Sequence, residues 1–155
     1  MTITLTQVET LLLKRAAGRM QDAGMDFSTV PNNVDLVDPI VFALLCIDII
    51  PADPTTLTDS DVSGVADTDL SKLLDLAEMR LLENIVGNLA LVDITVGPRK
   101  EALNQLVDQA EKAIARLSNR IASMYGFGVG SLNAGTVSLD FVSKGDDVLP
   151  GEELI

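Results

Sequence analysis

Two long stretches of regularly spaced apolar residues constrain the fold more than any other feature of the sequence. In each stretch apolar side chains recur every three or four residues, the spacing that places them on one side of an α-helix. A short "TVGP" segment separates the two stretches, which predicts an antiparallel helix hairpin. The first stretch, at about 68–92, carries Leu70, Leu73, Leu74, Ala77, Leu81, Ile85, Leu89 and Val92, and the second, ending at about Tyr125, carries Leu103, Leu106, Ala110, Ala113, Leu117, Ile121 and Met124.

Two further helices are predicted before the hairpin. Thr6 and Glu9 have the spacing of a capping box and predict a helix over about 6–23 that ends at Gly24. Asp38 followed by Pro39 is typical of a helix start, so "DPIVFALLCIDII" predicts a short, buried, central helix. Its β-branched residues leave a strand as the alternative.

The rest of the chain has a different character. Residues 51–67 are rich in Pro, Asp, Thr, Ser and Gly and predict a loop, whereas "TVSLDFV" alternates apolar and polar residues as a strand does. The predicted fold class is therefore mainly α: a helical bundle built on a long antiparallel hairpin, with an extended C-terminal arm that contains a short β-strand. The body is expected to span residues 1–125 and the arm 126–155.

The composition argues against an enzyme. The chain has no histidine, no tryptophan and one tyrosine, and its single cysteine, Cys46, lies in an apolar run. The absence of histidine removes the serine and cysteine triads, most zinc sites and the usual proton shuttle near neutral pH. We therefore predict no catalytic residue and no cofactor.

The charge favours protein partners. Twenty-three acidic and eleven basic residues give a formal net charge of -12, which opposes general binding to nucleic acid or to an anionic membrane. The segment "MTITLTQVET" lacks the features of a signal peptide, and the longest apolar run is too short to span a bilayer. We expect synthesis in the cytoplasm and no contact with a membrane.

The segment "DSDVSGVADTDL", residues 59–70, resembles the start of a calcium-binding loop. Asp59, Asp61 and Ser63 stand at alternate positions and Gly64 follows, but the position of the closing bidentate glutamate is taken by Leu70. The favoured interpretation is an acidic loop whose last aspartates cap the next helix, with a specific divalent ion as the alternative. No metal ligand is therefore assigned.

One basic row interrupts the acidic sequence. Lys112, Arg116 and Arg120 are four residues apart and therefore lie on one side of the second hairpin helix. A solvated helix surface is the simplest interpretation. The alternative is an electrostatic contact between subunits, in which this row meets an acidic surface of a neighbouring copy.

Glycines lead into the predicted arm. "GFGVG" follows a helix and has no lysine after it, so a nucleotide-binding loop is not predicted. The glycines are better suited to a hinge from which an extended segment leaves the body, and a lone strand must pair with another edge. Phe127, Val137, Leu139 and Phe141 are the residues expected to anchor the arm on a partner.

The order of these segments resembles that of the head-to-tail connector (adaptor) proteins of tailed bacteriophages. The similarity covers most of the chain: an N-terminal helix, a short apolar helix, a long acidic loop, the long hairpin "DLSKLLDLAEMRLLENIVGNLALVDITVGPRKEALNQLVDQAEKAIARLSNRIASMYG" and the extended tail ending "VSLDFVSKGDDVLPGEELI". It is a similarity of layout without a signature motif.

This resemblance implies a structural protein of the virion neck. The family forms rings, typically of twelve copies, beneath the portal of a filled capsid, and has no catalytic or cofactor residues to transfer. Portal protein and tail or neck proteins would be the partners, and DNA would pass through the ring without specific binding. The alternatives are another neck or tail-completion (terminator) protein, and a small helical binding or regulatory domain of a bacterium.

Overall fold

The computed structural model describes residues 2–90 and 98–126, and this part of the chain is mainly α-helical, as the sequence predicts. Its helices are α1 (Leu5–Asp22), α2 (Val34–Cys46), α3 (Asp59–Ser63), α4 (Leu70–Ala90) and α5 (Pro98–Tyr125). Over the same residues there is no β-strand. None of these helices is both long and apolar enough to cross a membrane.

The helix α4 lies at the centre of the body, because α1, α2 and α5 each pack against it. Its buried residues extend beyond the predicted apolar side and include Leu76, Met79 and Leu82. The prediction of α2 as the buried central helix is therefore wrong in position. One side of α2 is buried, with Leu36, Ile40 and Leu44, whereas Leu45 on its other side is exposed.

The N-cap of the first helix lies two residues earlier than predicted. Thr4 is the N-cap, its Oγ1 accepts the N–H of Gln7, and the Gln7 side chain accepts the N–H of Thr4. The box predicted for Thr6 and Glu9 is not formed, because Glu9 is buried against another segment. The sequence contains two overlapping Thr-x-x-Glu/Gln patterns. The first one forms the capping box because the Glu9 side chain of the second is buried and bonds elsewhere.

Both α1 and α2 end in a Schellman motif. After α1 the N–H of Met25 donates to the carbonyl of Met20, with Gly24 between them at φ 70°. After α2 the N–H of Ile49 donates to the carbonyl of Leu44, and Asp48 occupies the left-handed position at φ 63°. The prediction that α1 stops at Gly24 is confirmed, and an aspartate serves the same purpose after α2.

The start of α2 differs from the prediction. The helix begins at Val34, capped by the Asn33 side chain, which accepts the N–H of Asp35 at 2.9 Å. Pro39 therefore lies inside the helix, where it lacks one backbone donor. Burial of Leu36 and Pro39 in the core outweighs that loss, so the helix continues through the proline, and the strand alternative is wrong.

The segment 51–67 is not entirely loop, since residues Asp59–Ser63 form the short helix α3. Several other predictions fall outside the described residues: the turn of the hairpin at 95–97, and the whole extended arm from 127 onward with its predicted strand. The packing of α5 on α4 is observed. The hairpin connection itself stays a prediction.

Candidate functional site

A buried carboxylate joins three helices at one end of the body. Asp75 of α4 has no exposed side-chain surface. Its Oδ1 accepts from Nη1 of Arg15 at 3.0 Å, and its Oδ2 accepts from the Tyr125 hydroxyl at 3.1 Å and forms an ion pair with Nη2 of Arg120 at 3.0 Å. Arg15 also pairs with Glu78 at 3.0 Å. We call these five residues the Asp75 cluster.

Three cationic or hydroxyl groups offset the cost of burying the Asp75 carboxylate. A buried carboxylate without partners would cost several kcal/mol, whereas both oxygens of Asp75 are bonded to cationic or hydroxyl groups. The arginines are only partly buried, with 32% and 47% of their side chains exposed, so they keep some hydration. Burial alone would lower the pKa of Arg15, but the hydrogen bonds to Asp75 and Glu78 outweigh it and raise that pKa.

The position of the cluster fixes the end of α5. Tyr125 is the last residue of that helix, and its hydroxyl contacts Asp75 as well as Ser71 in the first turns of α4. Lys72 lies 6.0 Å from the centre of the tyrosine ring. Gly126 then has a φ of 75°, a left-handed conformation that ends a helix. The place where the predicted arm begins is therefore held against the first turns of α4.

The predicted basic row divides into two parts in the structure. Arg120 bonds to Asp75 within its own chain. Lys112 is exposed and forms only a surface pair with Asp108, at 3.4 Å, while Arg116 is exposed and forms no ion pair within the residues described here. The role of all three residues in contacts between subunits stays a prediction, and Arg120 has an internal role besides.

The residues expected to anchor the arm, Phe127, Val137, Leu139 and Phe141, lie outside the described part of the chain. The structure describes the end of α5, which is the predicted base of the arm. An apolar groove of about 460 Å³ opens close to that base, between α1 and the start of α4, and Ile3, Leu11 and Leu70 are among the residues that line it.

The calcium-like residues do not converge on a common point. Asp59 accepts the N–H of Leu5 at 2.8 Å, whereas Asp61 accepts the N–H groups of Ala52 and Thr58 at 2.9 and 2.8 Å. These bonds to Ala52 and Thr58 hold the pKa of Asp61 below its usual value. Within residues 2–90 and 98–126 no cluster of carboxylate or thiol groups could hold a metal ion. Asp59 and Asp61 therefore bond to backbone groups of α1 and of the segment before α3, and capping of α4 by the last aspartates stays a prediction.

Among the residues that the structure describes, Glu9 is the one with a buried side-chain oxygen that has no hydrogen-bond partner. It is buried on α1, and its Oε1 accepts the N–H of Asn33 at 3.2 Å. Its Oε2 is buried and has no hydrogen-bond partner among the described residues. Burial raises the pKa of Glu9, although the backbone N–H groups of Asn33 and Asn32 act in the opposite direction. Glu9 also lines a hollow of about 240 Å³ that extends past Val37 to Thr55.

A second hollow, of about 470 Å³, adjoins the first at Val34, which lines both and is 75% exposed. Acidic side chains from α2 and α4 surround it: Asp35, Asp38 and Glu83. Arg80 and Asn84 bond to Asp38 at 3.0 and 2.9 Å. Burial raises the pKa of Asp38, but the bonds from Asn84 and Arg80 hold it below its usual value. We call Val34, Asp35, Asp38 and Glu83 the α2 surface.

Sequence reasoning missed Asp75 and Glu9. Asp75 stands within the run "LLDLA", where four apolar neighbours signal that the surrounding turn is buried. Glu9 was assigned to a helix cap because its spacing fits one. In both cases the burial of a carboxylate depends on which segment packs over it, and the local pattern does not contain that information.

Comparison of the chain with protein-family models, with curated protein sequences and with solved structures found no match.

Proposed function

We propose that this chain is a structural protein of the tailed-phage virion neck, a head-to-tail connector that assembles as a ring between portal and tail and lets DNA pass. The observation that carries the proposal is the Asp75 cluster. It holds the end of α5 against α4, next to the residue at which the arm is predicted to begin. An ordered attachment point limits the positions that an arm can sample, which lowers the entropy lost when the arm binds a partner.

The order of segments and the charge support the proposal further. A helical body followed by a glycine-containing arm with alternating apolar residues is the layout that resembles the connector family. A protein with a net charge of -12 repels phosphates, so a ring of such subunits would let DNA slide through without binding it. In this proposal the protein is not an enzyme, and its partners are its own copies, the portal protein and tail or neck proteins.

Substitutions in the predicted arm test the proposal most directly. In the full-length chain, replacing Phe127, Val137, Leu139 and Phe141 by serine should leave the helical content unchanged and abolish co-assembly with portal and neck proteins. An alternating apolar segment can contribute to binding only when its apolar side chains are buried on a partner.

The measurement is the mass of the purified protein, alone and mixed with portal protein, by native mass spectrometry. A ring, or a complex formed only with portal, supports the connector. A serine variant that joins the complex as well as the unmodified protein would contradict the role of the arm. A protein that stays monomeric with every neck component would instead favour a small helical binding domain.

A further inference from the structure

Two charged surfaces of the body lie on different sides of α4. Arg80 and Asn84 of α4 bond to Asp38 of α2, whereas Asp75 pairs with Arg120 of α5. At about 100° per residue these contacts lie roughly 140–180° apart around the helix axis. The helices α2 and α5 therefore flank α4 on two different sides.

The outward side of α5 carries two cations near its centre, Lys112 and Arg116, beside the exposed acids Asp108 and Glu111. Ala110, Leu117 and Ile121 form the buried side of this helix. Lys112 and Arg116 lie roughly 120–160° away from that side at about 100° per residue, so they face outward. The Lys112 side chain is 69% exposed and its pair with Asp108 is a surface pair, of a kind worth less than about 1 kcal/mol.

The α2 surface is suited to receive these cations. It carries three carboxylates, and Arg80 is the cation that pairs with two of them. Val34 is 75% exposed between the two hollows, so a partner that covers it would bury apolar surface.

We propose that the α2 surface of one copy binds the Lys112 and Arg116 side of α5 of a second copy. Because the two surfaces differ and lie on opposite flanks, the contact is head-to-tail, and repeated contacts of this kind close into a ring when the rotation between copies permits it. The apolar stems of the lysine and arginine side chains would cover Val34, and their charged ends would meet Asp35, Asp38 and Glu83. The inference rests on the proposed ring and names the surfaces that build it.

A charge-reversal experiment tests this contact. In the full-length protein, Arg116→Glu and, separately, Glu83→Lys should each lower the association constant at least tenfold, measured by sedimentation velocity or native mass spectrometry under the conditions in which the unmodified chain assembles. Lys14→Glu is the matched control, since Lys14 is an exposed lysine on α1 and outside both surfaces. This control should assemble normally.

Mixing the two variants gives the sharper result. The reversed α5 of the Arg116→Glu chain should bind the reversed α2 surface of the Glu83→Lys chain, and the unchanged surfaces should still fit one another. The mixture should therefore assemble into rings in which the two variants alternate. Circular dichroism and urea unfolding of each variant verify that the fold is intact.

The outcomes separate this inference from the proposed function. If the unmodified protein forms rings and the reversed variants form them equally well, the named contact is wrong and the connector remains. Failure of the mixture to assemble, when both variants are folded, also overturns the contact. If the unmodified protein never associates, either alone or with portal, both proposals are wrong.

Discussion

At the scale of single residues, the molecule depends on a few buried carboxylates. Asp75 differs from the exposed acids because its two oxygens bond to groups from α1 and α5 at once. Removal of its partners would leave a buried charge without compensation, and removal of Asp75 would leave the two arginines and the tyrosine without their shared acceptor.

Replacing Asp75 by alanine should destabilise the body by about 2–4 kcal/mol, because the substitution leaves Arg15, Arg120 and Tyr125 without their shared acceptor. The loss should stay below the upper end of the range for buried pairs, since both arginines can recover hydration. Urea unfolding followed by circular dichroism measures the change. The matched control is Asp108→Ala, which removes an exposed pair with Lys112 and should change stability by less than about 0.5 kcal/mol. Equal effects of the two substitutions would show that the cluster has no special role.

The burial of Glu9 predicts that the stability of the protein depends on pH. Its raised pKa means that the folded protein binds this proton more tightly than the unfolded chain does. The resulting stabilisation is complete below about the ordinary pKa of 4.5 and is lost as the pH rises through the folded value. Glu9→Gln keeps the acceptor for the Asn33 N–H and cannot ionise. Its stability relative to the unmodified protein should therefore increase as the pH is raised.

Unfolding in urea at a series of pH values between about 4 and 8 measures this trend. The exposed Glu111→Gln on α5 makes the same chemical change at the surface and should show a difference that hardly varies with pH. A Glu9→Gln curve parallel to that of the unmodified protein would contradict the assignment.

At the scale of helices, the ends of α1 and α2 are formed by the same motif with different residues. Gly24 and Asp48 both adopt a positive φ, but only glycine does so without steric cost. Gly24→Ala should therefore destabilise the protein by about 1 kcal/mol, and Asp48→Gly should stabilise it by up to about 1 kcal/mol. No atom lies within 4 Å of the position of an added Cβ at Gly24, so the effect there comes from the backbone alone.

Thermal unfolding of the two variants beside the unmodified protein measures both changes. Gly18→Ala is a control within α1, because it also has open space around its Cβ and no positive φ. As alanine favours the helix interior, this control should be neutral or stabilising. If Gly24→Ala behaved like Gly18→Ala, the left-handed position would not be what ends α1.

At the scale of the whole molecule, the buried apolar cluster draws on α1, α2, α3, α4 and α5, which predicts that the body folds without the arm. A chain that ends at Gly126 should retain its helical content and unfold cooperatively, with a free energy of unfolding within about 1 kcal/mol of the full-length value. It should fail to join the complex with portal and neck proteins. A large loss of stability would mean instead that the arm packs on its own body, for which the groove between α1 and α4 offers a place.

The sequence by itself determined the helical class, the two long helices and most of their buried residues, because apolar spacing along a helix is a local property. It also made acid–base catalysis near neutral pH less expected, since a chain without histidine lacks the side chain that most often performs it. The stop at Gly24 followed in the same way, as glycine alone relieves the strain of a positive φ.

Only the tertiary structure decided which of two similar caps forms, that α2 begins before its proline, and that α4 rather than α2 is central. It also decided that Asp75 and Glu9 are buried and that Arg120 turns inward while Lys112 and Arg116 face outward. Each of these depends on contacts between residues far apart in the chain, such as Arg15 with Asp75 or Glu9 with Asn33. The free energy of burying the apolar residues around these contacts exceeds the local preferences of about 1 kcal/mol that a sequence pattern expresses.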